Sequence, residues 1–202
     1  MNLKLIIIPL FAFALQCNAQ MGIKGFLFSP NGELGQVMKK HISVEILKIE
    51  EFDGNSRWRF GLDYMPLKPR LDTFPAYAIK SDYGTIILPG CIVYKNCWSA
   101  AGFIGMDFRL MDNDKFRPYA GADFIFGILS YKYWKKINQS TDGEVDDSEL
   151  YYGLRLRIGC EYSITDRMQA FLDLSAAGYR TEYARFMSHY EIGLGLSYKL
   201  RN

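Results

Sequence analysis

Residues Leu150 to Ile164 read LYYGLRLRIGCEYSI. The even positions Leu150, Tyr152, Leu154, Leu156, Ile158, Cys160, Tyr162 and Ile164 are apolar or aromatic, while the odd ones carry Tyr151, Gly153, Arg155, Arg157, Gly159, Glu161 and Ser163. Successive side chains of a β-strand point to opposite faces, so this unbroken alternation predicts a strand with one greasy and one polar face.

The same period recurs on either side. Tyr190, Ile192, Leu194, Leu196, Tyr198 and Leu200 oppose Glu191, Gly193, Gly195, Ser197 and Lys199. Trp58, Phe60, Leu62 and Tyr64 oppose Arg57, Arg59, Gly61 and Asp63. From Trp98 to Leu110, Ile104, Met106 and Phe108 oppose Gly105, Asp107 and Arg109; from Pro118 to Ile128, Ala120, Ala122, Phe124 and Phe126 oppose Tyr119, Gly121 and Asp123. Met168 to Ser175 continues the pattern, with Phe171 on the polar side, and weaker segments run from Gly22 to Phe28 and His41 to Ile49. The reading is an all-β chain of eight strands. Its connections alternate: short turns at Asp53-Gly54-Asn55, Asp112-Asn113-Asp114 and Thr165-Asp166, and long loops at Ser29 to Val37, Leu67 to Gly90, Lys132 to Glu149 and Arg180 to Ser188. Short turns on one side and long loops on the other are the pattern of an antiparallel up-and-down transmembrane barrel, with both termini on the short-turn side.

Alternation does not say which face is inside. A soluble ligand-binding barrel would turn its greasy face inward and show water a face rich in Lys, Glu and Thr. Here the polar face is spaced by Gly61, Gly105, Gly121, Gly153, Gly159, Gly193 and Gly195. Glycine is a poor choice on a solvated strand, but inside a narrow barrel it makes room for long side chains. Aromatics such as Trp98, Phe108, Tyr152, Tyr162 and Tyr198 lie toward strand ends, where membrane interfaces fall. The greasy face is therefore expected to meet the lipid bilayer.

The chain at this point resembles the small eight-stranded outer-membrane barrels of the OmpA/OmpX type. The ending Gly193 to Leu200 is similar to the signal read by the barrel-assembly machinery, in register at Gly195, Tyr198 and Leu200, although Arg201 and Asn202 follow it. The resemblance implies an outer-membrane location and that machinery as an assembly partner.

Across 202 residues, 49% are hydrophobic and 23% charged, which excludes intrinsic disorder. A net charge of +2 with interleaved signs offers no basis for nucleic-acid binding. Met1 to Lys4, the apolar run Leu5 to Leu15 and the small residues ending at Ala19 read as an export signal over residues 1–19, leaving a barrel domain over residues 20–202. The run is too short for the roughly 20 residues of a spanning helix, and Gln16 breaks the small-residue pattern that would make Cys17 a lipidation site.

On this registration the lumen receives Glu45, Arg57, Arg59, Asp63, Asp107, Arg109, Asp123, Arg155, Arg157, Glu161, Asp173 and Glu191. Eight strands leave an interior just wide enough for side chains to fill, and buried charges of both signs should pair. A closed, non-conducting core is expected; a narrow charged pore is the alternative. Catalysis is not expected: His41 with Ser43, and His189 with Ser188, would need a third orienting group and an oxyanion site that the sequence does not place, although a lipid-modifying enzyme stays open as an alternative. No Cys/His spacing resembles a zinc site, and no cofactor is expected. Cys91 and Cys97 could form a local disulfide only if the chain turned near Lys95-Asn96, because six strand residues span about 20 Å. The loop from Leu67 to Gly90, with Pro69, Pro75, Pro89, Phe74, Tyr77 and Tyr83, is a candidate partner surface or lid, and Lys132 to Glu149 is expected to be a mobile, solvated tip. The functional expectation is a monomeric structural or surface-interaction protein, with an accessory subunit of an envelope or secretion complex as its rival.

Overall fold

A computed structural model describes residues 19–32, 35, 38–70, 73–80, 86–111, 113, 115–137, 140–182 and 186–200. Among the described residues nine strands are formed: β1 (Ala19–Asn31), β2 (His41–Glu51), β3 (Ser56–Leu67), β4 (Thr73–Lys80), β5 (Ile86–Arg109), β6 (Phe116–Ile137), β7 (Ser140–Ser163), β8 (Met168–Thr181) and β9 (Phe186–Lys199). All neighbours pair antiparallel, β1 meets β9, and β3 closes on β5. Eight strands thus form a closed up-and-down ring, and the ninth, β4, stands outside it. Closure pairs every strand edge along the ring, as a chain in hydrocarbon requires.

The short turns fall where the sequence places them. In the β2–β3 turn the Asp53 carboxylate accepts hydrogen bonds from the backbone N–H of Asn55 (2.9 Å) and Ser56 (2.5 Å). In the β7–β8 turn the Thr165 hydroxyl accepts from Met168 N–H at 3.0 Å. Asp112 and Asp114 of the third turn, like most of the export signal, lie outside the described residues. Ala19 is already paired in β1, and its carbonyl accepts from Leu200 N–H at 3.0 Å, so the two ends of the ring's chain meet on the short-turn side.

The long connections differ from expectation. Within Leu67 to Gly90 the described residues include a strand and not only loop: β4 pairs with Ile86–Val93 of β5, beyond the point where β3 stops opposite Cys97. Lys132 to Glu149 is solvent-exposed at Gly143, Glu144, Asp146 and Ser148, but it is strand and not loop over most of its length, because β6 and β7 stay paired up to Ile137 and Ser140. Tyr131, Tyr133 and Val145 keep the strand alternation going, and period-two residues next to an existing ladder extend it rather than stop. β5, β6 and β7 have 24, 22 and 24 residues, roughly twice the 9–11 that one crossing needs. Their outer halves, with β4, make a four-stranded sheet beyond the barrel.

Within the ring the greasy faces point out. Leu150, Tyr152, Leu154, Leu156 and Ile158 are exposed, while Tyr151, Arg155 and Arg157 between them are buried. Phe52, Phe108, Phe116, Tyr162 and Tyr198 ring the short-turn end; Tyr64, Trp98, Phe126, Tyr152 and Tyr190 ring the other, and aliphatic residues fill the belt between. Two aromatic girdles around an apolar belt match a bilayer and its interfaces.

Candidate functional site: the filled lumen and the outer sheet

Glycines on the inner face admit the side chains that fill the barrel. A Cβ on Gly193 would stand 2.7 Å from Cδ of Lys24, and one on Gly127 would stand 2.7 Å from the Tyr151 ring. The space so gained is occupied in layers. Nearest the short-turn end, the Gln20 amide donates to Gln169 Oε1 and Ser197 Oγ, both at 2.8 Å. Above it lies the charged layer, and toward the outer end Phe26, Phe28, Met65, Leu67, Tyr151, Tyr179 and Met187 form an apolar cap.

Arg155 on β7 is the hub of the charged layer. Its Nε stands 2.8 Å from Asp123, and its Nη1 3.0 Å from Asp63, 3.2 Å from Glu45 and 3.4 Å from Glu191. One guanidinium thus ties β7 to β2, β3, β6 and β9. Arg157 Nη2 contacts Asp107 at 2.7 Å and Asp123 at 2.8 Å; Arg57 reaches Asp107 at 3.0 Å and also pairs with Glu161. Arg59 holds Glu45 at 2.5 Å and approaches Asp173 at 3.8 Å. Aromatic faces complete the packing: the Phe103 ring lies 4.6 Å from the Arg155 guanidinium carbon and 5.5 Å from that of Arg59, and Tyr119 lies under Arg57 at 4.7 Å.

Eleven of the twelve predicted lumen charges are brought together in this layer. Arg109 is not: it stands at the short-turn rim, donating to Glu51 at 2.6 Å and to the Gly54 carbonyl at 3.1 Å. It is the last residue of β5, so correct facing puts it at the mouth and not in the layer. Lys24, missing from the sequence reading, is fully buried and bridges Glu45 at 2.8 Å and Asp173 at 3.2 Å. Its strand hid it, because β1 buries Phe26 and Phe28 on the same inner face and blurs the alternation. Tyr119, which donates to Asp173, is a second member outside the predicted set.

The histidines sit in the outer cap. Phe28 lies between them, with centroids 4.5 Å from His41 and 4.4 Å from His189. His189 Nε2 is 2.8 Å from Glu191, whose other oxygen accepts from Ser175 at 2.7 Å; His41 Nδ1 faces the Lys39 carbonyl at 3.0 Å. Ser188 is on the opposite strand face from His189, and among the described residues no serine hydroxyl is bonded to either ring. The possible Cys91–Cys97 disulfide is not formed. Both are free thiols on β5, and where a turn was needed the strand has only a bulge between Tyr94 and Asn96.

The outer sheet has two unlike faces. On one, Lys95 stacks on Trp134 at 3.7 Å and pairs with Glu144 at 3.6 Å, while Lys132 pairs with Asp146 at 2.9 Å. The other continues the lumen wall upward: Tyr94, Tyr131 and Tyr133 have ring centroids 5.9 to 6.4 Å apart, and Tyr131 donates to Glu149. Cross-strand register sets Asp147 opposite Tyr131 and Val145 opposite Tyr133 on that face.

No family model matches the chain, and no curated protein does. Among solved structures it is similar to Neisserial surface protein A, with a TM-score of 0.65 at 12% identity, covering 91% of this chain and 97% of that one. The outer membrane protein OprG of Pseudomonas aeruginosa gives 0.47 at 12% identity over 92% and 97%, and the Yersinia pestis attachment invasion locus protein Ail 0.49 at 12% over 90% and 97%. By the direction of its faces, its ring closure and its likeness to Neisserial surface protein A, the chain has the fold of a small eight-stranded up-and-down transmembrane β-barrel.

Proposed function

We propose that the chain is a surface-interaction protein of the outer membrane whose lumen is filled and non-conducting, assembled through its C-terminal strand by the barrel-assembly machinery. The observation that carries this reading is the division of labour along the strands. The membrane part is closed by paired charges and an apolar cap, whereas β4 and the outer halves of β5–β7 build an ordered sheet that the crossing does not require. Tyrosines on that sheet supply large, rigid contact area at low entropic cost, as interface residues do.

Replacing Tyr133 to Val145 by Asn-Gly joins Lys132 to Asp146, a pair already opposed in the ladder. Cells carrying this variant should show the same amount of heat-modifiable barrel and a loss of attachment to solid or cellular surfaces. Unchanged attachment with the outer β6–β7 hairpin removed would refute the reading. An enzymatic role would instead show as lipid hydrolysis by the detergent-purified protein that His189→Ala abolishes.

A further inference from the structure

The short-turn mouth of the barrel contains a cavity of about 490 Å³ that the surface role does not use. That volume suits a small ligand. Its floor is Gln20, tied to Gln169 and Ser197, and above the floor lie the packed ion pairs of the charged layer.

Its walls are basic by register. Arg117 pairs opposite Glu161 and Lys199 opposite Gln20, so both share the inner face of their strands with buried lumen residues, and Lys115 lines the same space. Of the two lining acids, Glu51 is already committed to Arg109 at 2.6 Å, and Asp166 lies on the exposed β7–β8 turn at the lip. Burial works to raise the pKa of Glu51, yet the hydrogen bond from Arg109 and the charges of Arg109, Lys199 and Arg117 hold it below the usual carboxylate range. Arg117 is braced by its Nε donating to the Asn113 carbonyl at 3.2 Å. Among the described residues, its terminal nitrogens and the ammonium groups of Lys115 and Lys199 form no salt bridge. Ser163 and Gln169 add neutral hydrogen-bonding groups to the wall.

We propose that this vestibule is a dead-end binding site for a small multivalent oxyanion, of the tricarboxylate or pyrophosphate kind, gripped by Arg117, Lys199 and Lys115. A cationic wall gives attraction, and the guanidinium of Arg117 suits bidentate contact with carboxylate or phosphate. Because packed ion pairs fill the layer above, the site holds its ligand and does not pass it on.

The test is calorimetric titration of the folded full barrel, in a non-ionic detergent at low salt, with citrate and separately with pyrophosphate. Saturable one-to-one binding of either is expected, and which one binds assigns the carboxylate or the phosphate source. Arg117→Gln and Lys199→Gln should each weaken binding about tenfold, whereas Glu51→Gln, which releases Arg109, should strengthen it. Absence of saturable binding, or equal affinity in the wild type and both cation variants, would overturn the proposal. If a variant fails to give the heat-modifiable folded band, backbone amide shifts of the wild type decide. Shifts centred on Ser163, Gln169 and Lys199 support the site, and none there, or shifts confined to the outer sheet, overturn it.

Discussion

Arg155 shows what a single side chain does in a barrel without a hydrophobic core of ordinary kind. Removing one partner from a buried charge cluster leaves others uncompensated and costs about 3–5 kcal/mol. Arg155→Ala exposes Glu45, Asp63, Asp123 and Glu191 to one another, so urea unfolding in bilayers should show a loss of that size. The outer pair Lys132–Asp146 is solvated, and Lys132→Ala should change stability by less than about 1 kcal/mol. Asp53 acts through the turn instead. Its carboxylate is fully exposed and held below its ordinary pKa by the N–H groups of Asn55 and Ser56. A folded value below the unfolded one means that its contribution is complete above the unfolded pKa of about 3.9 and is lost as pH falls through the folded value. The difference in urea midpoint between wild type and Asp53→Ala should therefore be present at neutral pH and vanish in strong acid.

At the scale of the strand, facing decides the sign of every substitution. Leu154 and Arg155 are neighbours in β7, one exposed to lipid and one buried. Leu154→Arg places a charge near the middle of the apolar belt and should cost about 2–4 kcal/mol, measured by the same unfolding assay. A strand whose faces were reversed would show no such penalty. Facing was legible in β7 and β9, where every inner residue is glycine, polar or charged except Val145, Tyr151 and Met187. It was not legible in β1, where Phe26 and Phe28 share the inner face with Lys24, and so Lys24 escaped notice. Strand ends were the other blind spot. Lys132 to Glu149 is rich in turn formers and charge, which reads as a loop, but ladder pairing with β5 and the opposing Tyr, Trp and Lys residues carries the strands to Ile137 and Ser140.

At the scale of the whole molecule, the barrel inverts the usual arrangement, with apolar residues outside and ion pairs inside. The purified protein should need amphiphile to stay folded and dispersed, and in planar bilayers it should give no stable, reproducible conductance. Regular single-channel steps from the wild type would contradict the filled lumen. What the sequence by itself determined is the period, the number of ring strands, the short-turn side and the composition of the inner face, because these depend only on which residues alternate along the chain. Tertiary structure alone decided which cation meets which carboxylate, that Arg109 belongs to the rim, and that Cys91 and Cys97 lie along one strand. It also decided that the outer segments form a sheet and that a basic vestibule lies beneath the charged layer. The reason is physical: facing is a local property of the backbone, whereas pairing across a lumen depends on the stagger between strands far apart in sequence, and that stagger is fixed only when the ring closes.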